Sequence, residues 1–326
     1  MSRRAAREAR AEYRSAQRAG RRMNDAGRGL LLFSPAGVLR SVVPLRRAAA
    51  RLGKLGFSVS IDEAATARMQ RFAGDDATRL AALHRIAAQC PSVALASRGG
   101  YGLTRLLDRI DWKLVAKSVS AGTRWVGMSD MTSLQLGLLA HGGGITWAGP
   151  LACDDFGRSA AEGGVDDVTA SCFVEAMSGA LEAVGFRTDP GFDGLDVRGM
   201  LWGGNLSIVN SLLATPHWPR VKGGILFVED VNEHPYRVER NLLQIHQAGV
   251  LDAQKAVVLG AVTGWNKSPN DRGYSLASML ARVRAATRTP ILTGLPFGHV
   301  ATKVSIPVGA KVRLLVDRRD AFIGWS

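Results

Sequence analysis

The sequence predicts an α/β protein built around a mainly parallel β-sheet. Short apolar runs alternate with longer segments whose apolar residues recur at helical spacing. Turns rich in glycine follow some of these runs, as happens where a strand passes into a helix. The 326 residues, 46% hydrophobic and 21% charged, suffice for one large or two modest globular domains. The alternating order places the strands side by side, with helices on both faces of the sheet.

The first half of the chain carries most of this alternation. The apolar runs that we predict as strands are residues 30–34, 57–61, 93–97, 125–128 and 145–148. The predicted helices cover residues 41–52, residues 77–89, a segment through Leu106 and Ile110, and residues 130–140. Each strand is therefore followed by a segment that can cross back over the sheet.

The second half is less regular and indicates a second domain. Residues 151–197 contain one predicted helix, 168–183, and a stretch rich in turn residues at 189–194. We therefore predict a linker at 186–198, between an N-terminal α/β domain at 29–185 and a C-terminal domain at 199–326. In the latter, a helix is predicted from near Pro235 to just before Gly249. The predicted strands are 225–228, 256–259, 291–292 and 312–316.

The net charge of +14 is concentrated near the start of the chain. Residues 1–28 hold nine arginines and three acidic residues, and we expect this basic leader to be flexible. The remaining excess of positive charge would attract an anionic ligand through its long-range field. No helix-turn-helix, RNP or zinc-finger pattern accompanies the charge, so a nucleic-acid partner is not expected.

Cysteine use indicates a reduced compartment, and hydropathy gives no indication of a membrane-spanning or exported segment. The three cysteines, Cys90, Cys153 and Cys172, form no C-x-x-C pair, which argues against a disulfide framework or a structural zinc site. No apolar run approaches the roughly 20 residues that span a bilayer. Arg3 and Arg4 are not followed by an apolar stretch of export length. We expect a cytoplasmic protein without a membrane partner.

Ser129 is a candidate nucleophile because it stands between a predicted strand and a predicted helix. The segment Gly127-Met128-Ser129-Asp130 resembles a nucleophile elbow, a tight turn that projects the serine hydroxyl. The helix N-terminus behind it offers N–H groups to a developing oxyanion. Met131 replaces the second glycine of G-x-S-x-G, and Ser129 or Asp130 could instead simply cap the helix.

A glycine-rich turn, residues 98–102, follows a neighbouring predicted strand. Ligands of open parallel sheets bind beyond the carboxyl ends of the strands, so this turn and Ser129 could face one crevice. Gly99 and Gly100 would let backbone N–H groups approach a reacting carbonyl. A phosphate-binding loop is not indicated, because the turn lacks both G-x-x-x-x-G-K-[ST] and G-x-G-x-x-G. The glycines could also have no function beyond forming the turn.

Glu229 and His299 are the candidate acid and base. Glu229 ends an apolar strand, where it could orient a histidine or cap the next helix. His299 closes a turn directly after another apolar strand, and loop histidines are structural about as often as they are catalytic. The other histidines suit packing or turn roles, and the acids and histidines lack metal-ligand spacing such as H-E-x-x-H. These histidines are His84, His141, His217, His234 and His246.

Five blocks stand out in order along the chain, at residues 98–102, 127–132, 202–206, 226–237 and 294–299. Taken together, they resemble the LD-carboxypeptidase family of serine peptidases, also called muramoyltetrapeptide carboxypeptidases. The similarity covers roughly residues 29–318 and leaves the basic leader unexplained. Met128 stands where the family usually has tyrosine.

The resemblance implies a Rossmann-like N-terminal domain, a smaller β-rich C-terminal domain and usually a homodimer. It implies that Ser129 is the nucleophile, Glu229 the orienting acid and His299 the general base, without cofactor or metal. The substrates would be murein tetrapeptides, which lose their terminal D-alanine during cell-wall recycling. The expected oxyanion and substrate-binding residues are Arg98, Gly99, Gly100, Tyr101, Asp130 and Asn205, with Arg237 as a further candidate for substrate carboxylates.

Two alternatives stay open on the sequence alone. The first is a peptidase of the microcin-immunity type, which has the same fold and cleaves acyl-adenylate analogues. Such relatives usually carry a longer loop between serine and acid than this chain does. The second is a non-catalytic module that binds anions or nucleic acid.

Overall fold

A computed structural model describes residues 28–325 as two β-sheets with helices packed against them. The α/β class is confirmed, with a parallel-rich N-terminal sheet and a second, C-terminal sheet. The predicted basic leader lies outside the described residues except for Arg28, which begins the first strand. None of the helices within residues 28–325 has the length and apolar character needed to cross a membrane.

The N-terminal sheet has six strands in the order β11-β5-β4-β3-β1-β2. All pairs are parallel except β11 with β5. Its strands are β1 (Arg28–Phe33), β2 (Phe57–Ile61), β3 (Val93–Ala96), β4 (Arg124–Gly127), β5 (Thr146–Ala148) and β11 (Ile306–Val308). The helices of this part are α1 (Val43–Lys54), α2 (Asp76–Gln89), α3 (Trp112–Ser120), α4 (Met131–His141) and α5 (Asp167–Ser178).

The C-terminal sheet has seven strands in the order β10-β9-β8-β7-β12-β13-β6. The pairs from β10 to β7 are parallel, and those from β7 to β6 are antiparallel. Its strands are β6 (Ala183–Arg187), β7 (Asp196–Asn205), β8 (Ile225–Val231), β9 (Ala256–Thr263), β10 (Ile291–Leu292), β12 (Lys311–Asp317) and β13 (Asp320–Gly324). The helices are α6 (Leu206–Leu212), α7 (Pro235–Gln247) and α8 (Leu276–Ala286).

Two predicted helices differ from the structure. The segment through Leu106 and Ile110 forms two 3-10 turns, Leu103–Arg105 and Leu107–Arg109, because Ile110 is extended. The side chain of Asp111 then accepts the N–H of Leu114 and caps α3, a helix that was not among those predicted from the sequence. The predicted helix 168–183 ends at Ser178, because Gly179 adopts a left-handed conformation with φ +78°.

The segment predicted as a linker, residues 186–198, is partly occupied by regular structure. Its ends belong to β6 and β7, which both lie in the C-terminal sheet. The chain also returns late to the N-terminal sheet, where Ile306–Val308 pairs with Thr146–Ala148. One buried cluster includes both Trp125 of β4 and Trp202 of β7, so the two sheets share a continuous core.

Candidate active site

Ser129 occupies a tight turn between β4 and α4. Its φ of +61° lies in the left-handed region, which is uncommon for a residue other than glycine. The N–H of Thr132 donates to its carbonyl at 2.9 Å and holds this conformation. Asp130 at the helix start makes no side-chain capping bond, so the cap interpretation of Asp130 is wrong. The geometry is that of a strand-to-helix elbow that presents a serine hydroxyl.

The glycine-rich turn after β3 contacts this serine directly. A Cβ built on Gly99 would lie 2.6 Å from Oγ of Ser129 and 3.9 Å from the backbone nitrogen of Asp130. The carbonyl of Gly99 accepts the N–H of Gly37 at 3.2 Å, which fixes the turn against the loop after β1. Glycine at position 99 is therefore required by the close approach of the hydroxyl.

Asp130 and Arg79 fix this turn by hydrogen bonds to its backbone and to the residue that follows it. The buried Asp130 carboxyl accepts the N–H of Leu103 at 2.7 Å, while Arg79 donates to the carbonyl of Gly102 at 2.8 Å. Burial raises the pKa of Asp130 to about 7, although the Leu103 N–H and Arg79 act in the opposite direction. Arg79 was not identified from the sequence, since an arginine in a helix pattern gives no sign of facing inward.

Glu229, near the end of β8, and His299, in the segment after β10, form a hydrogen-bonded pair. Nδ1 of His299 lies 2.8 Å from Oε2 of Glu229, whose carboxylate is fully buried. A carboxylate can only accept, so Nδ1–H donates and Nε2 is left as the acceptor. Burial lowers the pKa of His299, but the hydrogen bond and charge of Glu229 outweigh it and raise that pKa. Gly298, with φ +133°, allows this contact, since a Cβ there would lie 3.1 Å from Oε2.

Asn205 connects this pair to the helix behind Ser129. Its amide donates to Oε1 of Glu229 at 3.0 Å, and its backbone N–H donates to the hydroxyl of Thr132 at 3.0 Å. We predicted Asn205 as a substrate-binding residue, but its amide group is committed to Glu229, Asp230 and the start of α6. In this structure it positions the acid.

Asp154, in the segment after β5, interacts electrostatically with charged groups of both parts of the chain. The Asp154 carboxyl is exposed, yet nearby protein atoms partly desolvate it and raise its pKa. The charges of Arg98, His299 and Lys303 act in the opposite direction and lower that pKa. Arg98 borders the glycine-rich turn and His299 belongs to the C-terminal part, so Asp154 lies near both. Within residues 28–325, the hydrogen bonds of His299 run to Glu229 and Thr263, and none runs to the Ser129 hydroxyl.

A buried ion pair adjoins this segment. Nζ of Lys303, four residues after His299, bonds to Oδ1 of Asp155. The other carboxylate oxygen of Asp155 accepts the N–H of Leu151 at 2.7 Å. Neither residue was singled out in the sequence, because a lysine and an aspartate so far apart carry no local pattern.

Three further residues that the sequence predicts as substrate-binding are Arg98, Tyr101 and Arg237. Arg98 uses Nη1 to bind the carbonyl of Val38 at 2.7 Å, so it also fixes the loop after β1. Tyr101 is 47% exposed at the glycine-rich turn. Arg237 is exposed on α7, with Glu233 at 3.7 Å.

Comparison with known families assigns the class. Residues 31–149 match the LD-carboxypeptidase N-terminal domain and residues 198–314 match the LD-carboxypeptidase C-terminal domain. The fold and the matched domains define a peptidase. The chain belongs to the LD-carboxypeptidase family.

Individual relatives agree with this assignment. A probable murein peptide carboxypeptidase of Bacillus subtilis is 29% identical over 83% of this chain and 84% of its own length. A murein tetrapeptide carboxypeptidase of Pseudomonas aeruginosa is 29% identical over 85% of this chain and 90% of its own. The crystal structure of a muramoyltetrapeptide carboxypeptidase from Oxalobacter formigenes is 36% identical, with a TM-score of 0.81, covering 91% of this chain and 98% of that one.

A structure of the microcin C7 self-immunity protein MccF shares the fold. It has a TM-score of 0.80 at 20% identity and covers 92% of this chain and 96% of that one. At this identity the likeness concerns the fold alone.

Proposed function

We propose that this chain is a serine carboxypeptidase that releases the terminal D-alanine of murein tetrapeptides. The observation that carries the proposal is the contact path from the Ser129 elbow through Thr132 and Asn205 to Glu229 and His299. The names of the relatives in Bacillus subtilis, Pseudomonas aeruginosa and Oxalobacter formigenes support the same substrate class.

In the proposed mechanism, neutral His299 takes the hydroxyl proton as Ser129 attacks the carbonyl of the L,D peptide bond. A positioned base of this kind contributes on the order of 10²–10⁴ in rate. Serine–histidine contacts are often long before substrate binds and tighten in the complex. Glu229 keeps the proton on Nδ1 and stabilises the imidazolium that forms.

The oxyanion would be met by backbone N–H groups. The candidates are the N–H of Asp130 together with that of Gly99, whose position adjoins the serine hydroxyl, or of Gly100 in the same turn. Each such donor is worth about 3–4 kcal/mol of transition-state stabilisation. His299 then protonates the leaving D-alanine amine, and water releases the acyl group from Ser129.

The test follows D-alanine release by mass spectrometry from murein tri-, tetra- and pentapeptides. We expect turnover of the tetrapeptide and none after Ser129→Ala. Acyl-sulfamoyl adenosine is included as a fourth substrate. Cleavage of that compound alone would support the microcin-immunity alternative, and no cleavage at all would support a binding module.

We further propose, from the family resemblance, a homodimer that acts in the cytoplasm. Light scattering of the purified full-length chain measures the first part. Fractionation of cells that express the chain measures the second.

A further inference from the structure

A cavity of about 870 Å³ in the C-terminal part has no part in the chemistry above. Asn232 follows β8 and Trp265 follows β9, so the cavity lies where these two parallel strands end. The hydroxyl of Thr263, two residues before Trp265, donates to the carbonyl of His299 at 3.3 Å. The cavity thus adjoins the backbone that carries the proposed base.

Three aromatic rings, His234, Tyr236 and Trp265, form a corner of this cavity, here called the aromatic corner. The His234 ring lies 4.7 Å from Tyr236 and 5.2 Å from Trp265, with interplanar angles of 37° and 69°. Tyr236 is 50% exposed, and the catalytic mechanism gives it no role. Because these rings are inclined to one another, a planar nucleobase cannot stack between two of them. The C–H groups of a non-planar sugar ring can pack against them.

The aromatic corner is preorganised by hydrogen bonds. Nε2 of His234 lies 3.1 Å from the Asp271 carboxylate, which also accepts the N–H of Ser268 at 2.6 Å. Nδ1 of His234 accepts the N–H of Tyr236 at the start of α7. A wall held in this way loses little freedom when a ligand binds.

The polar lining fits a neutral ligand. Asn232, Asn266 and Asn270 each offer an amide with two donors and one acceptor oxygen, which suits hydroxyl and acetamido groups. Among the described lining residues, one cation, Arg237, accompanies the two carboxylates of Glu239 and Asp271. Such a balance does not favour a phosphate.

We propose that this cavity binds the N-acetylated amino sugar to which the murein peptide is attached. The inference rests on the proposed function and names a subsite of the same substrate. The volume is in the usual range of about 300–1,000 Å³ for small-molecule sites. The three residues between the scissile bond and the sugar span about 10 Å when extended, which is the distance that the peptide would bridge between Ser129 and the bound sugar. The block around Tyr236 and Arg237, which the triad leaves unused, then has a role.

The test compares three substrates that share one scissile bond: the free tetrapeptide, the muramoyl tetrapeptide and its nucleotide-linked form. For the unaltered enzyme we expect kcat/KM for the muramoyl substrate to exceed that for the free peptide about tenfold or more. Trp265→Ala and Tyr236→Ala should bring this ratio close to one, mainly through KM. Trp265→Phe should keep part of the ratio, because it retains an aromatic face.

Val168→Ala is the matched control, since Val168 is 55% exposed and lies on α5, outside this cavity. Its ratio should equal that of the unaltered enzyme. A ratio near one in the unaltered enzyme, or a ratio unchanged by Trp265→Ala and Tyr236→Ala, would overturn the sugar site while leaving the proposed function intact. A preference for the nucleotide-linked form over the muramoyl form that Trp265→Ala removes would also overturn it, because the cavity would then bind the nucleotide. Failure to release D-alanine from any of the three substrates would instead contradict the proposed function.

Discussion

Ser129 illustrates how local backbone geometry prepares a reactive side chain. A left-handed conformation costs a residue with a Cβ on the order of 1–3 kcal/mol. The surrounding turn holds Ser129 at φ +61° all the same, with the Thr132 N–H on its carbonyl and Gly99 against its hydroxyl. His299 is prepared by different means, since a buried carboxylate fixes its ring and its tautomer.

The raised pKa of His299 predicts the pH dependence of activity. The base works only when neutral, so kcat/KM should fall as pH drops through a pKa above the ordinary value of 6.5. In Glu229→Gln the imidazolium loses its partner charge, so this acid limb should move to lower pH and the maximum rate should fall by about 10²–10⁴. Tetrapeptide turnover from pH 5 to 9 measures both effects. An acid limb that stays in place in Glu229→Gln would contradict the assigned pair.

Asp130 should make stability depend on pH in the opposite sense to an ordinary paired carboxylate. Its pKa of about 7 in the folded protein exceeds the unfolded value, so its contribution is most favourable at low pH and is lost as pH rises through 7. Asp130→Asn removes this loss and can still accept the Leu103 N–H. We expect the variant to gain stability relative to the parent between pH 5 and pH 8, by about 2–4 kcal/mol. Urea unfolding at both pH values measures the difference, and an equal effect at both would contradict it.

At the scale of elements, the site depends on two turns at neighbouring strand ends. The turn after β3 supplies Gly99 and the turn after β4 supplies Ser129, and the register of these parallel strands brings both to one edge. The acid and base come from corresponding places in the other sheet, where Glu229 lies in β8 and His299 follows β10.

Gly99→Ala should damage activity far more than stability. The new Cβ would lie 2.6 Å from Oγ of Ser129, so the hydroxyl must move. A displacement near 1 Å costs on the order of 100-fold in rate. Gly53→Ala in α1, where a Cβ meets nothing within 4 Å, is the control and should keep full activity. Equal activity of the two variants, with both folded by circular dichroism, would count against the contact.

Several elements were predictable because local pattern and tertiary context agree. Phe57–Ile61 and Ile291–Leu292 have the predicted bounds, and α7 begins at Pro235 and ends just before Gly249 as expected. The missed elements lack such agreement. The strand Ala183–Arg187 continues what was predicted as a helix, and its partner β13 is far away in sequence.

At the scale of the whole molecule, the two sheets are interlocked. The late strand β11 completes the N-terminal sheet, and the core cluster extends across both sheets. Lys303 and Asp155, each almost fully buried, join the loop after His299 to the N-terminal part. We therefore expect the two parts to unfold together.

Breaking this buried pair should be costly, because it leaves a charge without a partner. Lys303→Met should lower the free energy of unfolding by about 3–5 kcal/mol. Lys303→Met with Asp155→Asn should recover much of that loss, since the amide still accepts the Leu151 N–H. Glu63→Gln, at an exposed pair with Arg85, should cost less than about 1 kcal/mol. Denaturant unfolding measures all three, and a double variant no more stable than Lys303→Met would contradict the explanation.

The site was only partly predictable. Ser129, Glu229 and His299 each lie just after an apolar run that the sequence predicts as a strand, which made them candidates, but their grouping came from the family resemblance. Asp154, Asp155, Arg79 and Lys303 gave no local signal, because their importance arises from contacts made only in the folded chain. Asn205 was noticed, yet its contact with Glu229 could not be read from the sequence.

The most direct measurement of the central claim is peptide-mapped mass spectrometry of the enzyme quenched in acid during tetrapeptide turnover. We expect a covalent acyl adduct on Ser129 whose mass is that of the peptide without its terminal D-alanine, together with free D-alanine, and neither in Ser129→Ala. An adduct on another residue, or undiminished D-alanine release by Ser129→Ala, would contradict the account.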